Sequence, residues 1–304
     1  MVRYVHIQNY RCLRDVEVRL EPLTVLVGAN ASGKSSFLAA LCSRFTVADV
    51  WSRDPKLNAR AAMSDDEQHA TLKGWTSVRG SGGTSPFGPQ TSVQLLQLDV
   101  EHLRKPSQLE EVKSLTTTGF GLANVFTTLT RKGRDAVAKQ FCQLVPMFGD
   151  VDTRPLEKGT HRVVFQDRWQ PSIWYEPSQV SDGSMLLFAF LLLQHQTPAP
   201  DIIAIEEPER SLHPYLMGEL VKVLRGLATG KLGKEIQVIL ATHSAELLDF
   251  VEPKEVRFFS RAKDTGETRV EAAPIDSPQW KKVFTEYNDS LSGVWLSGGL
   301  GGVP

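Results

Sequence analysis

Gly28-Ala29-Asn30-Ala31-Ser32-Gly33-Lys34-Ser35 is the stretch whose reading decides the fold. It satisfies GxxxxGK[ST] at every defined position. The apolar run Leu23-Thr24-Val25-Leu26-Val27 before it reads as a strand, and Phe37-Leu38-Ala39-Ala40-Leu41 after it reads as a helix. A glycine-rich turn between a strand and a helix is where backbone N–H groups close around phosphate oxygens. Gly28, Asn30, Ser32, Gly33, Lys34, Ser35 and Ser36 are therefore the candidate nucleotide-binding set. Lys34 would neutralise the β- and γ-phosphates of ATP, and the Ser35 hydroxyl would ligate Mg²⁺.

A second constellation supplies the other half of phosphoryl transfer. Asp201-Ile-Ile-Ala-Ile205 reads as a buried strand that runs into Glu206-Glu207-Pro208. In an open α/β sheet, ligands gather beyond the carboxyl ends of the strands. Adjacent residues on an extended chain point apart, so the two carboxylates are expected to have different tasks. Glu206 would hold Mg²⁺ through a water ligand, and Glu207 would orient and polarise the attacking water. Thr242-His243-Ser244 follows another apolar strand, Gln237–Ala241, which places His243 near the same sheet edge. Its imidazole suits a bond to a γ-phosphate oxygen or to that water. Ser181-Asp182-Gly183-Ser184 precedes the apolar run Met185–Leu193. It reads equally as a helix N-cap and as an anion site.

The composition restricts the remaining possibilities. The chain has 304 residues and a formal net charge of −1, so no global field draws it to nucleic acid or membrane. Arg131, Lys132, Arg134 and Lys139, and Arg3, Arg11 and Arg14, are ordinary solvated charges or a local basic face. Three scattered cysteines, Cys12, Cys42 and Cys142, form no CxxC pair; they argue against a disulfide scaffold and suit a reducing cytoplasm. No signal-peptide layout opens the sequence, and Met185–Leu193 is too short to span a bilayer. A cytoplasmic protein without membrane segments is expected.

Periodicity then lays out the chain. Residues 2–8 and 14–20 read as two strands joined by a turn. Residues 51–92 form a polar, Gly/Ser/Pro-rich insertion, expected to be mobile. Val93–Leu98 reads as a strand. Residues 100–180 read as a lobe, helical to residue 150, with a hairpin over 161–166 and 171–175. Strand and helix then alternate through 181–260, which indicates a mainly parallel sheet covered by helices. One helix and a Gly-rich end are expected after residue 276.

These elements in this order resemble the ABC-type ATPase heads of the RecF, SMC and OLD group, and more closely its stand-alone ATPases of the AAA-21 type. The resemblance rests on Ile7-Gln-Asn-Tyr-Arg-Cys-Leu-Arg14, the phosphate loop, Ser181–Ser184, Ile205-Glu-Glu-Pro-Glu-Arg-Ser-Leu-His-Pro214, Thr242-His-Ser244 and Gly293-Val-Trp-Leu-Ser-Gly-Gly-Leu300. It implies a single α/β P-loop NTPase head over residues 1–304, with a mainly parallel sheet core, an N-terminal antiparallel β subdomain and a helical lobe. It also implies a head-to-tail homodimer with ATP at the interface. Ser181 and Gly183 would then cap the γ-phosphate from the opposite protomer, Arg210–His213 would lie at the seam, and Arg11 would contact nucleotide. The implied partner is a nuclease effector, or DNA itself, in bacterial DNA repair or anti-phage defence.

Some features depart from the group. Ala31 stands where many relatives have Gly, Glu206 replaces the usual Asp, and no Q-loop glutamine is secure, Gln94 and Gln97 being the candidates. No coiled-coil arm is expected, and the residues after His243 lack the carboxylate pattern of a Toprim nuclease. Two other readings share the fold: a nucleotide-dependent binding module with negligible turnover, and a transporter ATPase subunit.

Overall fold

The computed structural model describes residues 1–42, 60–64, 76–77, 91–231 and 233–298. The described residues form two compact units. One comprises Met1–Leu95, Asp201–Pro208 and Gln237–Pro304, and the other Leu96–Pro200 and Glu209–Ile236.

The first unit is built on a six-stranded sheet. Its order is Thr268–Ala272, Val256–Arg261, Leu23–Val27, Gln237–Thr242, Ile202–Glu206, Val93–Leu96. Val256–Arg261, Leu23–Val27, Gln237–Thr242 and Ile202–Glu206 run parallel, and Thr268–Ala272 returns antiparallel at the edge. All five side chains of Leu23–Val27 and all six of Gln237–Thr242 are buried. A parallel strand covered on both faces demands such an unbroken apolar run. The three polar side chains admitted there are satisfied, Thr242 Oγ1 accepting from the Ser244 N–H. The Thr24 hydroxyl donates to the Glu21 carbonyl. Gln237 donates to the Val2 and Glu21 carbonyls and accepts the Val2 N–H, which ties the start of the chain to the sheet.

Tyr4–Tyr10 and Leu13–Arg19 pair antiparallel in a second sheet. Leu13, Val16 and Val18 point inward while Arg14, Asp15, Glu17 and Arg19 face water, a period of two that buries one face. Part of the polar insertion continues this sheet: Arg60–Ser64 pairs with Tyr4–Tyr10, and Thr76–Ser77 pairs with Arg60–Ser64. The excursion expected over 51–92 thus contributes two strands, and its other residues up to 90 lie outside the described ones. The helix Lys34–Leu41 packs into the core between the sheets through Phe37, Leu38, Ala40 and Leu41. Two short helices close the unit, Pro278–Glu286 and Leu291–Leu296, where one was expected. Asn288 and Asp289, both at positive φ, break the stretch in two. The Gly-rich end beyond 298 lies outside the described residues.

The second unit centres on Asp182–Leu192, a helix buried from Gly183 to Leu192. Such a helix reads as apolar on every face. Phe188 meets Phe126, Phe141 and Phe165 at centroid distances of 5.3, 5.4 and 5.6 Å, all near edge-to-face. Residues 100–150 are less helical than their spacing predicts. The helices Val100–Arg104, Leu122–Thr128 and Arg131–Leu144 are present, but Phe148–Pro155 is a strand. It pairs antiparallel with Thr160–Asp167 around a turn in which Lys158 has φ 60° and Gly159 φ 71°. That pairing, longer than the hairpin expected with 171–175, dominates the small sheet. Trp174–Tyr175 adds only two residues.

Candidate functional site

The parallel register sets the site. Glu206 lies level with Ala241, and Thr242 level with Val27, so three strands end along one edge. The cavity they open onto, of about 260 Å³, is lined by Asn30–Ser36 of the loop and by Glu206, Glu207, Thr242 and His243. Cys12 and Arg261 complete its wall.

The loop is shaped for backbone approach. A Cβ on Gly28 would stand 2.1 Å from the Phe259 carbonyl oxygen, and one on Gly33 2.4 Å from Thr268 Oγ1. The helix Lys34–Leu41 starts at Gly33 without a side-chain cap and without an acidic residue in its first turn. Its free N–H groups and dipole suit an anion. Lys34 is buried, its Nζ 2.6 Å from the Gly28 carbonyl and 2.9 Å from that of Ala29. The Ser32 carbonyl accepts from Thr268 Oγ1 at 2.9 Å, and the Ala31 carbonyl from Arg261 Nη1 at 3.1 Å.

Ala31 itself sits at φ 61°. An L-residue there costs about 1–2 kcal/mol from Cβ crowding. Glycine relieves that crowding but gives back about 0.5–1 kcal/mol of chain entropy. Ala31→Gly is expected to stabilise the protein by about 0.5–1 kcal/mol, seen as a melting temperature higher by about 2 °C. A lower melting temperature would contradict the strain.

Glu207 leaves the strand at φ 47°, its N–H held by the Ala241 carbonyl at 2.8 Å. Glu207 Oε1 is 3.3 Å from His243 Nδ1, and both side chains are about half exposed to the cavity, at 45% and 51%. The short helix after His243 is anchored in turn. Asp249 accepts from the hydroxyls of Ser290 and Ser292 and from the Ser292 N–H, at the start of Leu291–Leu296.

The structure thus gathers Asn30, Ser32, Gly33, Lys34, Ser35, Ser36, Glu206, Glu207 and His243 in one cavity, with Gly28 in the loop beneath. Arg11 is not among its lining residues. It sits at φ 49° with its guanidinium 5.2 Å over the Tyr10 ring. Ser181 and Gly183 belong to the other unit. There the Ser181 hydroxyl caps the helix by accepting from the Ser184 N–H. A Cβ on Gly183 would stand 2.8 Å from the Ser211 carbonyl, so only glycine lets the helix start approach the turn at 209–212. His213 caps the next helix, its Nδ1 accepting from the Tyr215 N–H ahead of Pro214.

Three residues that sequence reasoning missed hold these loops. Arg104 donates to the Val180 carbonyl at 2.8 Å, to Asp182 Oδ1 at 2.7 Å and to the Pro177 carbonyl at 3.1 Å, clamping the turn that presents Ser181. Arg261 and Thr268 brace the phosphate loop from behind. Each acts across a long sequence separation, which leaves no local signal.

Chemically, the residues fit a nucleoside triphosphate with its cation. The cradle excludes side chains, its helix end is uncapped, and Ser35 and Glu206 offer hard oxygen donors. No cluster of three metal-ligating side chains occurs among the described residues. A Mg²⁺ that shares phosphate oxygens needs none. Nor is any described helix long and apolar enough to cross a membrane.

Comparison with known proteins agrees with this geometry. Residues 145–249 match the AAA_21 family model, "AAA domain, putative AbiEii toxin, Type IV TA system". Residues 1–71 match AAA_15, "AAA ATPase domain". Among curated proteins, the OLD nuclease of Thermus scotoductus is 39% identical over 51 residues, 17% of this chain and 9% of that protein. Solved structures give the fold. An SMC head bound to the C-terminal winged-helix domain of ScpA superposes with a TM-score of 0.61 at 14% identity, covering 90% of this chain and 98% of that one. The SMC head of Pyrococcus furiosus bound to the C-terminal domain of ScpA gives 0.61 at 13%, covering 94% and 99%. That of Thermotoga maritima gives 0.52 at 13%, covering 89% and 98%. The two family models, each matching less than half of the chain, describe AAA ATPase domains, and the solved structures show that the chain has the fold of an SMC head.

Proposed function

We propose that this domain binds ATP with Mg²⁺ at the Gly28–Ser36 loop, closes head to tail with a second copy around two nucleotides, and reopens when Glu207 directs hydrolysis. The observation that carries this reading is the meeting of Lys34 and the Glu207–His243 pair in one cavity at the carboxyl edge of the sheet. Lys34 is the phosphate ligand, Glu207 the base and His243 its partner. Ser35 and Glu206 hold the cation, which when bound neutralises phosphate charge. The Ser181–Gly183 helix start, clamped by Arg104, supplies the cap from the opposite protomer. Arg11 lies near enough in sequence to the cavity residue Cys12 to reach an approaching nucleotide.

The cycle converts ATP binding into a switch. Phosphates bonded to both protomers favour the closed dimer only while they are intact. The partner so switched is a nuclease effector or DNA, in a cytoplasmic repair or anti-phage role. The OLD relative is a nuclease, and the SMC heads are solved with ScpA domains docked on them. Both give precedent for an ATPase head acting on or beside another protein.

The reading is tested by light scattering with ATP and Mg²⁺. Wild type and Glu207→Gln are expected to shift to dimers, and Lys34→Ala to remain monomeric. Equal behaviour of Glu207→Gln and Lys34→Ala would remove the proposal.

A further inference from the structure

We propose that Arg261 is a second cationic ligand of the nucleotide's phosphate chain, beside Lys34. The inference rests on the ATP reading of the cavity and extends it to a residue outside every motif.

A phosphate cradle needs its N–H groups turned inward, so its C=O groups must be held elsewhere. Lys34 holds those of Gly28 and Ala29, Thr268 that of Ser32, and Arg261 that of Ala31. Lys34 and Arg261 differ from Thr268 in that both carry charge and both line the cavity. Lys34 already holds two loop carbonyls and lies 3.4 Å from Ser32 Oγ. A guanidinium has five N–H donors, and among the described residues Arg261 spends one, on Ala31. No carboxylate of the described residues pairs with it. Two nearby arginines are spoken for: Arg14 pairs with Glu267, and Arg257 is buried against the Arg19, Lys254 and Val256 carbonyls. The cavity wall also carries Glu206 and Glu207. A second cation there offsets their repulsion of a polyanion.

Its position adds a consequence. Val256–Arg261 pairs directly with the phosphate-loop strand, and the hairpin returns to Thr268 under Ser32. Arg261 therefore fixes the loop and reads its ligand from a single rigid strand end.

Equilibrium ATP binding at a series of salt concentrations tests the proposal. Arg261→Gln is expected to weaken ATP binding by roughly 10- to 100-fold, the range for hydrogen bonds to a charged group, and to flatten the salt dependence. Arg261→Lys should recover the salt dependence and part of the affinity. Thr268→Val removes a brace without removing charge. It should lower the melting temperature and leave the salt dependence of binding as in wild type. ATP affinity unchanged in Arg261→Gln would overturn the proposal. So would an equal loss in Thr268→Val, which would make Arg261 a brace alone. Lys34→Ala separates the two levels: if it too binds ATP normally, the ATP reading of the cavity fails and the role of Arg261 goes with it.

Discussion

Glu207→Gln is expected to lower single-turnover phosphate release by about 10²- to 10⁴-fold, the span for loss of a positioned general base. ATP affinity should stay within a few-fold of wild type. The substitution keeps the shape of the side chain and its place 3.3 Å from His243 Nδ1. What it removes is the ability to take a proton from water. His243→Ala is expected to reduce the rate less, because imidazole acts through Glu207 and through whatever its Nε2 accepts. Residues that act as a unit do not add. The double variant should therefore be no slower than Glu207→Gln alone. Full additivity would separate the two residues functionally. An unchanged rate in Glu207→Gln would move the base elsewhere in the cavity.

Glu207 sits at φ 47°, a conformation in which non-glycine residues are strained. The following Pro208 and the bond from the Glu207 N–H to the Ala241 carbonyl keep the turn in place. In the proposed mechanism the strain sits where two adjacent carboxylates part, one toward the cation and one toward the nucleophile.

Which parts of this were legible in the sequence follows from the range of each interaction. The core strands were plain because burial on both faces leaves an apolar run such as Leu23–Val27, and the buried helix Asp182–Leu192 was plain for the same reason. Glu206, Glu207 and His243 could be placed on one edge because each directly follows such a strand. The strand Phe148–Pro155 was hidden. It carries Asp150 and Asp152 on its open face and buries only Phe148 and Val151, so no period of two stands out. The two strands within 51–92 were hidden by composition. Arg261, Thr268 and Arg104 were invisible in another way: their partners lie 230, 236 and 73 to 78 residues away, and nothing local marks them. His213 was expected at a dimer seam. Its Nδ1 bond to the Tyr215 N–H establishes the helix-start role.

Gly28→Ala is expected to be among the most damaging single substitutions in the chain, costing about 3 kcal/mol or more and abolishing ATP binding with it. The added Cβ would lie 2.1 Å from the Phe259 carbonyl oxygen and 3.0 Å from its carbon. Those atoms are backbone in a strand paired on both sides, to Leu23–Val27 and to Thr268–Ala272. They cannot give way without breaking the ladder that positions the loop. Gly33→Ala makes the instructive contrast. Its Cβ would meet Thr268 Oγ1 at 2.4 Å, a side chain, although φ 111° adds strain of its own. Thr268→Ala should therefore rescue part of the stability lost in Gly33→Ala, at the expense of the Ser32 carbonyl bond. No substitution at position 259 can rescue Gly28→Ala, since every residue keeps its carbonyl. Thermal melts of the single and double variants, read beside ATP titrations, decide the matter. A Gly28→Ala protein that melts within about 2 °C of wild type, a shift worth under about 1 kcal/mol, would mean that the two strands do not press together as closely as the cradle requires.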